Sequence, residues 1–282
     1  MEDSFMGFRI NTNTSSLAAQ RSLTEVNRKS EDTLAKMSSG SRIVKASDDA
    51  AGMAISEKLK SSVRSLAQAN RNANDGVSMI QVAEGGLNET QNILTRLREL
   101  SIQSASDTIG ESERGFTNME YQSLKEELQR ISEVTQYNGV QLLNGEGPAL
   151  DFQVGIKNDD FQDRITYNTG AISSGLGSLE IDDIDVTSKE GAQESLAKID
   201  AAVEKVSGQR AELGALQNRL FSTSNNIMGS MENLSAANSR IRDVDYAEVA
   251  AQNATNNILQ NAGTAVLAQA NSKNQGALRL IG

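Results

Sequence analysis

The 282 residues include no cysteine, no histidine and no tryptophan, a single proline, and aromatics at only 4%. Each absence narrows what the chain can be. Without histidine and cysteine it lacks the commonest general base, the thiol nucleophile and the usual zinc ligands, so enzyme readings lose most of their parts. No catalytic group, metal site or cofactor is expected. Without cysteine it neither builds disulfides nor carries reactive thiols, which leaves its redox compartment open. Few aromatics, no tryptophan and 38% hydrophobic residues cannot easily fill a thick spherical core. Thin paired helices need less, because a stripe of Leu, Ile, Val, Met and Ala suffices while the other faces stay wet. Proline is the main block to a long helix, and here it occurs only at Pro148, near the middle. Both flanks are free to run as rods.

Clusters of positive charge are also missing. The formal net charge is -10 and basic residues interleave with acidic ones, which disfavours nucleic acid and anionic lipid as partners. No apolar run approaches the roughly 18 residues that a membrane span needs, so no membrane insertion is expected. The opening MEDSFMGFRI has neither the basic n-region nor the apolar h-region of a secretory signal, and taken alone this points to the cytosol. Met1 to Phe5 precede a second methionine, Met6, carry no pattern, and are assigned no role.

What is present is helical periodicity, almost from Ile10 to Ser104 and again from Leu196 to Leu280. Leu17, Leu23, Val26, Leu34 and Met37 fall roughly on one face of a first helix that stops at Gly40. Ser47 is the expected cap of a second helix, with Asp48 and Asp49 at its positive end. That helix carries Ile55, Leu59, Val63, Leu66, Ala73, Val77, Ile80, Leu87, Leu94, Leu97 and Ser101 in heptad-like order, and would reach roughly 80 to 90 Å. Asp75-Gly76 and Gly85-Gly86 would ordinarily mark turns, but the period passes through both without a phase jump, so they are read as helix interior.

Ser106 to Asn118 reads as a reversing loop, followed by a helix from Met119 to Val134 and turns at Tyr137-Asn138-Gly139 and Asn144 to Pro148. Between Leu150 and Ile184, alternation predicts one or two short hairpins, the only β-like segment. Helix resumes at Ser188 or Glu190, and after Arg242-Asp243-Val244-Asp245 a last helix places Ala250, Ala254, Ile258, Ala262, Val266 and Ala270 at mostly four-residue spacing. The expected fold is therefore mainly α: a long antiparallel coiled-coil or helical-bundle rod formed by both termini, with a small β-hairpin insert near the middle.

Other motifs have bland explanations. Gly175-Leu176-Gly177 is a lone GxG without strand, helix or lysine, and no phosphate site follows from it. Glu180, Asp182, Asp183 and Asp185 lack the glycine and terminal glutamate of an EF-hand loop and read as a solvated acidic loop. Asp48/Asp49 and Asp243/Asp245 stand at helix starts, where capping is their natural work. The apolar stripes read as an intramolecular bundle over residues 47 to 241. The end segments, 10 to 40 and 247 to 282, are rich in Ala, Ser and Asn and poor in large anchors. They would make a weak pair alone and gain stability when many copies pack, as in a polymer.

The opening INTNTSSLAAQRSL, the stretches LAKMSSGSRIVKASDDAAGMAISEKL and NANDGVSMIQVAEGGLNETQNILTRLRELSIQSA, the turn TQYNGVQLL and the closing SRIRDVDYAEVAAQNATNNILQNAGTAVLAQANSKNQGALRLIG together resemble the bacterial flagellins. The motifs are long and gapless, and only about residues 145 to 190 fall outside them. The resemblance implies a non-enzymatic structural subunit that polymerises into the helical filament of a flagellum and serves swimming motility. It implies an inner coiled-coil domain lining the filament channel from residues 6–46 plus 247–282, disordered in the monomer and folding on assembly. It implies an outer bundle from 47–144 plus 188–246, and a short variable hairpin or loop region at 145–187 facing solvent.

On the same resemblance the self-assembly stripe comprises Leu17, Leu23, Val26, Leu34, Ala254, Ile258, Ala262, Val266 and Leu280. The implied partners are other copies of the chain, flagellar cap and hook-associated proteins, and an export chaperone with the type III export apparatus. Export without a cleaved signal then places the protein outside the cell, overriding the cytosolic reading. A patch recognised by Toll-like receptor 5, or used for subunit contacts, would comprise Arg96, Leu100 and Glu120. Thr95 departs from the Gln common in the family. The alternatives are a hook-filament junction protein, which departs from the SDDAAG and LAQAN patterns kept here, or another helical coiled-coil scaffold, which would have ordered ends as a monomer.

Overall fold

The computed structural model describes residues 12–281, with side chains as far as Lys273, so Met1 to Phe5 lie outside the described residues. Helix α1 (Thr14–Ser39) begins where the Asn13 carboxamide accepts the Ser16 N–H and ends at Gly40, whose φ of 65° is the left-handed turn that glycine adopts without penalty. Three further long helices follow: α2 (Ala50–Ser104), α4 (Lys189–Arg242) and α5 (Tyr246–Ile281), with a shorter α3 (Glu111–Val134) between α2 and α4. The glycines at 76, 85 and 86 are all inside α2, as the uninterrupted period predicts.

The described residues form two compact units, one from 12–61 together with 234–281, the other from 62 to 233. In the first unit α1 packs along α5. The link between α1 and α2 is tied to the end of α4: Ser41 bridges Asp243, the Arg42 N–H donates to the Arg242 carbonyl at 2.6 Å, and the Arg42 guanidinium reaches the Ile241 carbonyl at 2.7 Å. Ser56 donates to Asn238 at 2.7 Å, and Arg242 pairs with Glu57. These bonds carry the unit past the divisions at 46 and 247 that the sequence suggests. The cap of α2 also differs from expectation. Asp49, not Ser47, accepts the Gly52 N–H at 2.8 Å, while the Asp48 carboxylate holds the Val44 and Lys45 amides and stays below the usual carboxylate range because of them. Asp245 does the same work for α5, accepting the Ala247 N–H at 2.9 Å.

In the second unit, α2, α3 and α4 bury Ile80, Leu87, Leu94, Leu97, Tyr121, Leu128, Ile199, Val206, Leu213 and Leu220. Helix α3 starts eight residues before the expected Met119. Acidic Glu111 and Glu113 occupy its first turn, and the Arg114 guanidinium caps the open end of α2 at the Ser104 carbonyl, 2.9 Å away. The segment read as a loop thus becomes a helix, because Arg114 satisfies carbonyls that would otherwise need solvent. At the other end of α3, Asn138 (φ 51°) and Gly139 (φ 83°) form a two-residue turn joining strands β1 (Gln136–Tyr137) and β2 (Val140–Gln141), a small ladder where only a turn is legible in the sequence.

Strands β3 (Ala149–Gln153) and β4 (Arg164–Asn168) pair antiparallel, with Phe152 opposite Ile165. This is one hairpin in the window where one or two are expected. The segment 145–187, expected to face solvent, instead contributes to the core: Ile165, Tyr167, Ile172, Ile181 and Val186 are buried, and the Tyr167 hydroxyl donates to the Leu142 carbonyl. The α2 glycines make this contact feasible. A Cβ on Gly76 would stand 3.0 Å from the Phe152 ring and 3.2 Å from Leu220, and one on Gly86 only 2.6 Å from Leu143.

Candidate assembly surface

The seam between α1 and α5 is lined by small and polar side chains. Asn13 donates to the Ala270 carbonyl at 2.9 Å, Ser16 to Asn271 at 2.7 Å, Gln260 to Asn27 at 3.0 Å and Asn256 to Thr33 at 3.2 Å. Ser30, Thr33 and Val249 are the buried residues there, and a Cβ on Gly263 would sit 3.2 Å from Leu23, so that leucine packs against bare helix backbone. Polar groups at these positions hydrogen-bond across the seam and specify register, but they add little net stability.

The residues expected to form one self-assembly stripe are divided by this geometry. Leu23 and Val26 are half-buried toward α5. Leu17, Leu34, Ile258 and Val266 point away from the seam, 52%, 51%, 68% and 58% exposed, and Ala254 and Ala262 are exposed with them. The Leu280 side chain lies outside the described residues. The sequence reading followed the apolar positions and missed the polar ones that make the intramolecular contact. The signal was there: Ser16, Leu23, Ser30 and Asn253, Gln260, Leu267 recur at seven-residue spacing. A cleft of about 530 Å³ opens on the same helix pair, lined by Lys29, Asp32, Thr33, Lys36, Glu248 and Asn256 among others.

Of the three residues expected in a receptor or subunit patch, the structure brings two together at the surface. The Arg96 guanidinium on α2 spans to Glu120 on α3 at 2.8 Å and to Glu99 at 2.9 Å, and these hydrogen bonds, Glu120 first, raise its pKa. Leu100 is corrected: it is 2% exposed, so it supports the ridge from within the core and offers no surface. Phe116 and Met119 are also exposed on α3, four residues and one residue before Glu120; Phe116 falls in the segment that reads as a loop, and Met119 opens the expected helix with nothing in the pattern to mark it as a surface anchor.

The acidic loop at 180–185 contains an internal cation. Lys125 of α3 is buried, and its ammonium donates to the Asp182 carbonyl at 2.5 Å and the Ile184 carbonyl at 3.1 Å. Burial lowers its pKa while Asp182, Asp183 and Asp185 oppose that shift. Among the described residues no group of three or more carboxylates could hold a metal ion, and no helix is long and apolar enough to cross a membrane.

Known proteins with the same organisation agree at both ends of the chain. Residues 10–147 match the bacterial flagellin N-terminal helical region, and residues 196–281 match the bacterial flagellin C-terminal helical region. The flagellin of Halalkalibacterium halodurans is 41% identical over 274 residues, spanning 96% of this chain and 99% of the relative. The flagellar filament core protein flaB2 of Brachyspira hyodysenteriae is 41% identical over 282 residues, again 96% of this chain and 99% of the relative. The crystal structure of Bacillus cereus flagellin superposes with a TM-score of 0.50 at 27% identity, covering 60% of this chain and 94% of that one. Long helices at both ends, a helical bundle with a hairpin insert, and these matches together establish that the chain belongs to the bacterial flagellins.

Proposed function

We propose that this flagellin builds the flagellar filament by burying the outward apolar side chains of α1 and α5 against neighbouring copies, as the inner domain of the polymer. A flagellin is a structural subunit of a filament used for motility, and not an enzyme. The observation that carries the reading is the division of labour on the terminal helices: polar groups face the intramolecular seam, while Leu17, Leu34, Ile258 and Val266 face outward. Exposed aliphatic residues in this number on a paired-helix surface mark an interaction site. Ordering each terminal residue costs about 1 to 2 kcal/mol, and a seam with so little apolar burial does not offset that in a lone subunit. The helices α1 and α5 then depend on the polymer for their order.

The same reading places the protein outside the cell. It is exported through the type III apparatus with a chaperone, and it contacts cap and hook-associated proteins at the filament ends. The Arg96–Glu120 ridge, beside exposed Phe116 and Met119, supports a further surface for neighbouring subunits or for Toll-like receptor 5.

The test is seeded polymerisation followed by electron microscopy and circular dichroism. Monomer added to filament fragments should elongate them and gain helicity. The double substitution Ile258→Gln, Val266→Gln should abolish elongation while leaving the monomer spectrum unchanged. Filaments of normal length from the double variant, or no gain of helicity on assembly of the unaltered chain, would reject the proposal.

A further inference from the structure

The turn between β1 and β2 presents a reactive group outside the packing contacts of the subunit described above. Asn138 and Gly139 are both exposed, the Asn138 carboxamide makes no hydrogen bond among the described residues, and neither does the Gly139 N–H. Space around Gly139 is open, with no atom within 4 Å of where a Cβ would be. An asparagine followed by glycine is the pair in which the next backbone nitrogen reaches the side-chain carbonyl with least obstruction, since no Cβ blocks its approach.

A second Asn-Gly pair in the same stretch is closed off. Asn144 donates from Nδ2 to Gln141 at 2.6 Å and accepts the Glu146 N–H on Oδ1 at 3.1 Å. A Cβ on Gly145 would stand 2.7 Å from Ser173, so that backbone is enclosed. Both asparagines carry the same local sequence chemistry, and the fold leaves only one of them free.

We infer that Asn138 is a site of spontaneous deamidation in the folded protein, and that Asn144 is protected. The Gly139 nitrogen attacks Asn138 Cγ; a Gly139 N to Asn138 Cγ bond forms, the Cγ–Nδ2 bond breaks, and ammonia leaves with the proton from the Gly139 amide. The resulting five-membered imide is opened by solvent water at either carbonyl, giving aspartate or isoaspartate. No oxidation state changes. The two products differ in consequence. Aspartate tolerates the left-handed φ of 51° at position 138 and keeps the turn. Isoaspartate routes the main chain through the side chain, adds a methylene to a two-residue turn, and disrupts the Tyr137–Val140 and Gln136–Gln141 pairing. Either product adds one negative charge.

The experiment ages the purified full-length chain in mildly alkaline buffer, folded and in urea, and follows both sites by peptide mapping with fragmentation mass spectrometry and isoaspartyl methyltransferase labelling. In the folded chain, conversion at Asn138 should exceed that at Asn144 by about tenfold or more, the factor expected when hydrogen bonds must open first. In urea the two sites should react at similar rates, and Asn138→Gly, which keeps the left-handed turn but has no side-chain carbonyl to attack, should remove the labelled site from the folded protein. Equal rates in the folded chain, faster reaction at Asn144, or no conversion at Asn138 while the urea sample reacts would overturn the inference.

Discussion

At the residue scale, the two adjacent glycines of α2 do different things. Gly85 has nothing within 4 Å of a would-be Cβ, whereas at Gly86 that atom would meet Leu143 at 2.6 Å and Thr135 Oγ1 at 2.8 Å. Alanine normally stabilises a helix by about 1 kcal/mol over glycine, and Gly85→Ala should gain close to that in chemical denaturation. Gly86→Ala should instead lose about 1 to 3 kcal/mol, because a side chain forces apart the helix and the hairpin against it. Equal stabilisation by both substitutions would show that Leu143 and Thr135 do not pack here as described. Only part of this was legible in the sequence. The unbroken period kept both glycines inside a helix, but which of them touches a neighbour depends on a contact with residues some fifty positions away, and no local pattern encodes it.

At the element scale, regular spacing was read well where burial is one-sided and poorly where it is not. In α2 the heptad order from Leu66 to Ser101 is the buried track. In α5 the four-residue spacing of Ala254, Ile258, Ala262 and Val266 advances about 40° per step around the helix, so such a row drifts off any straight seam. The seam was left to amides and hydroxyls, which a search for apolar residues passes over. Helix α3 was shortened because Gly110 and Gly115 look like loop residues; its start is fixed by the distant demand of the α2 carbonyls for Arg114. Elements packed by tyrosine give a pH test. Burial pushes the Tyr121 phenol of α3 and the Tyr167 phenol of β4 up to about 12 from 10.0. The folded state therefore keeps protons that the unfolded chain has released, and stability should fall as pH climbs from about 10 toward 12. The urea midpoint across that range should drop for the unaltered protein and drop less for the double variant Tyr121→Phe, Tyr167→Phe. Identical slopes would mean that these phenols do not remain neutral in the fold.

At the scale of the whole molecule, two ends that are far apart in sequence make one unit, while residues 62–233 carry nearly all of the large buried side chains. Removing residues 247–282 should therefore leave the 62–233 unit folded, with a cooperative denaturant transition and native protease resistance, while seeded elongation is lost. Long filaments from the truncated chain would contradict the assignment of assembly to the terminal helices. The general plan, helices at both ends around a small hairpin, was readable from one proline and an uninterrupted period. The integration of the insert into the core was not, because Ile172, Ile181 and Val186 lie in irregular segments where no period advertises burial.

The amide-lined seam of α1 and α5 has a consequence for the subunit before it joins anything. Asparagine, glutamine, serine and threonine exchange their cross-helix partners for water at little cost. Unzipping the two ends thus uncovers little apolar surface beyond Leu23, Val26 and Val249, which gives an opened subunit little added drive to clump. Reluctance to fold alone and resistance to premature precipitation would then be a single property of one polar zipper.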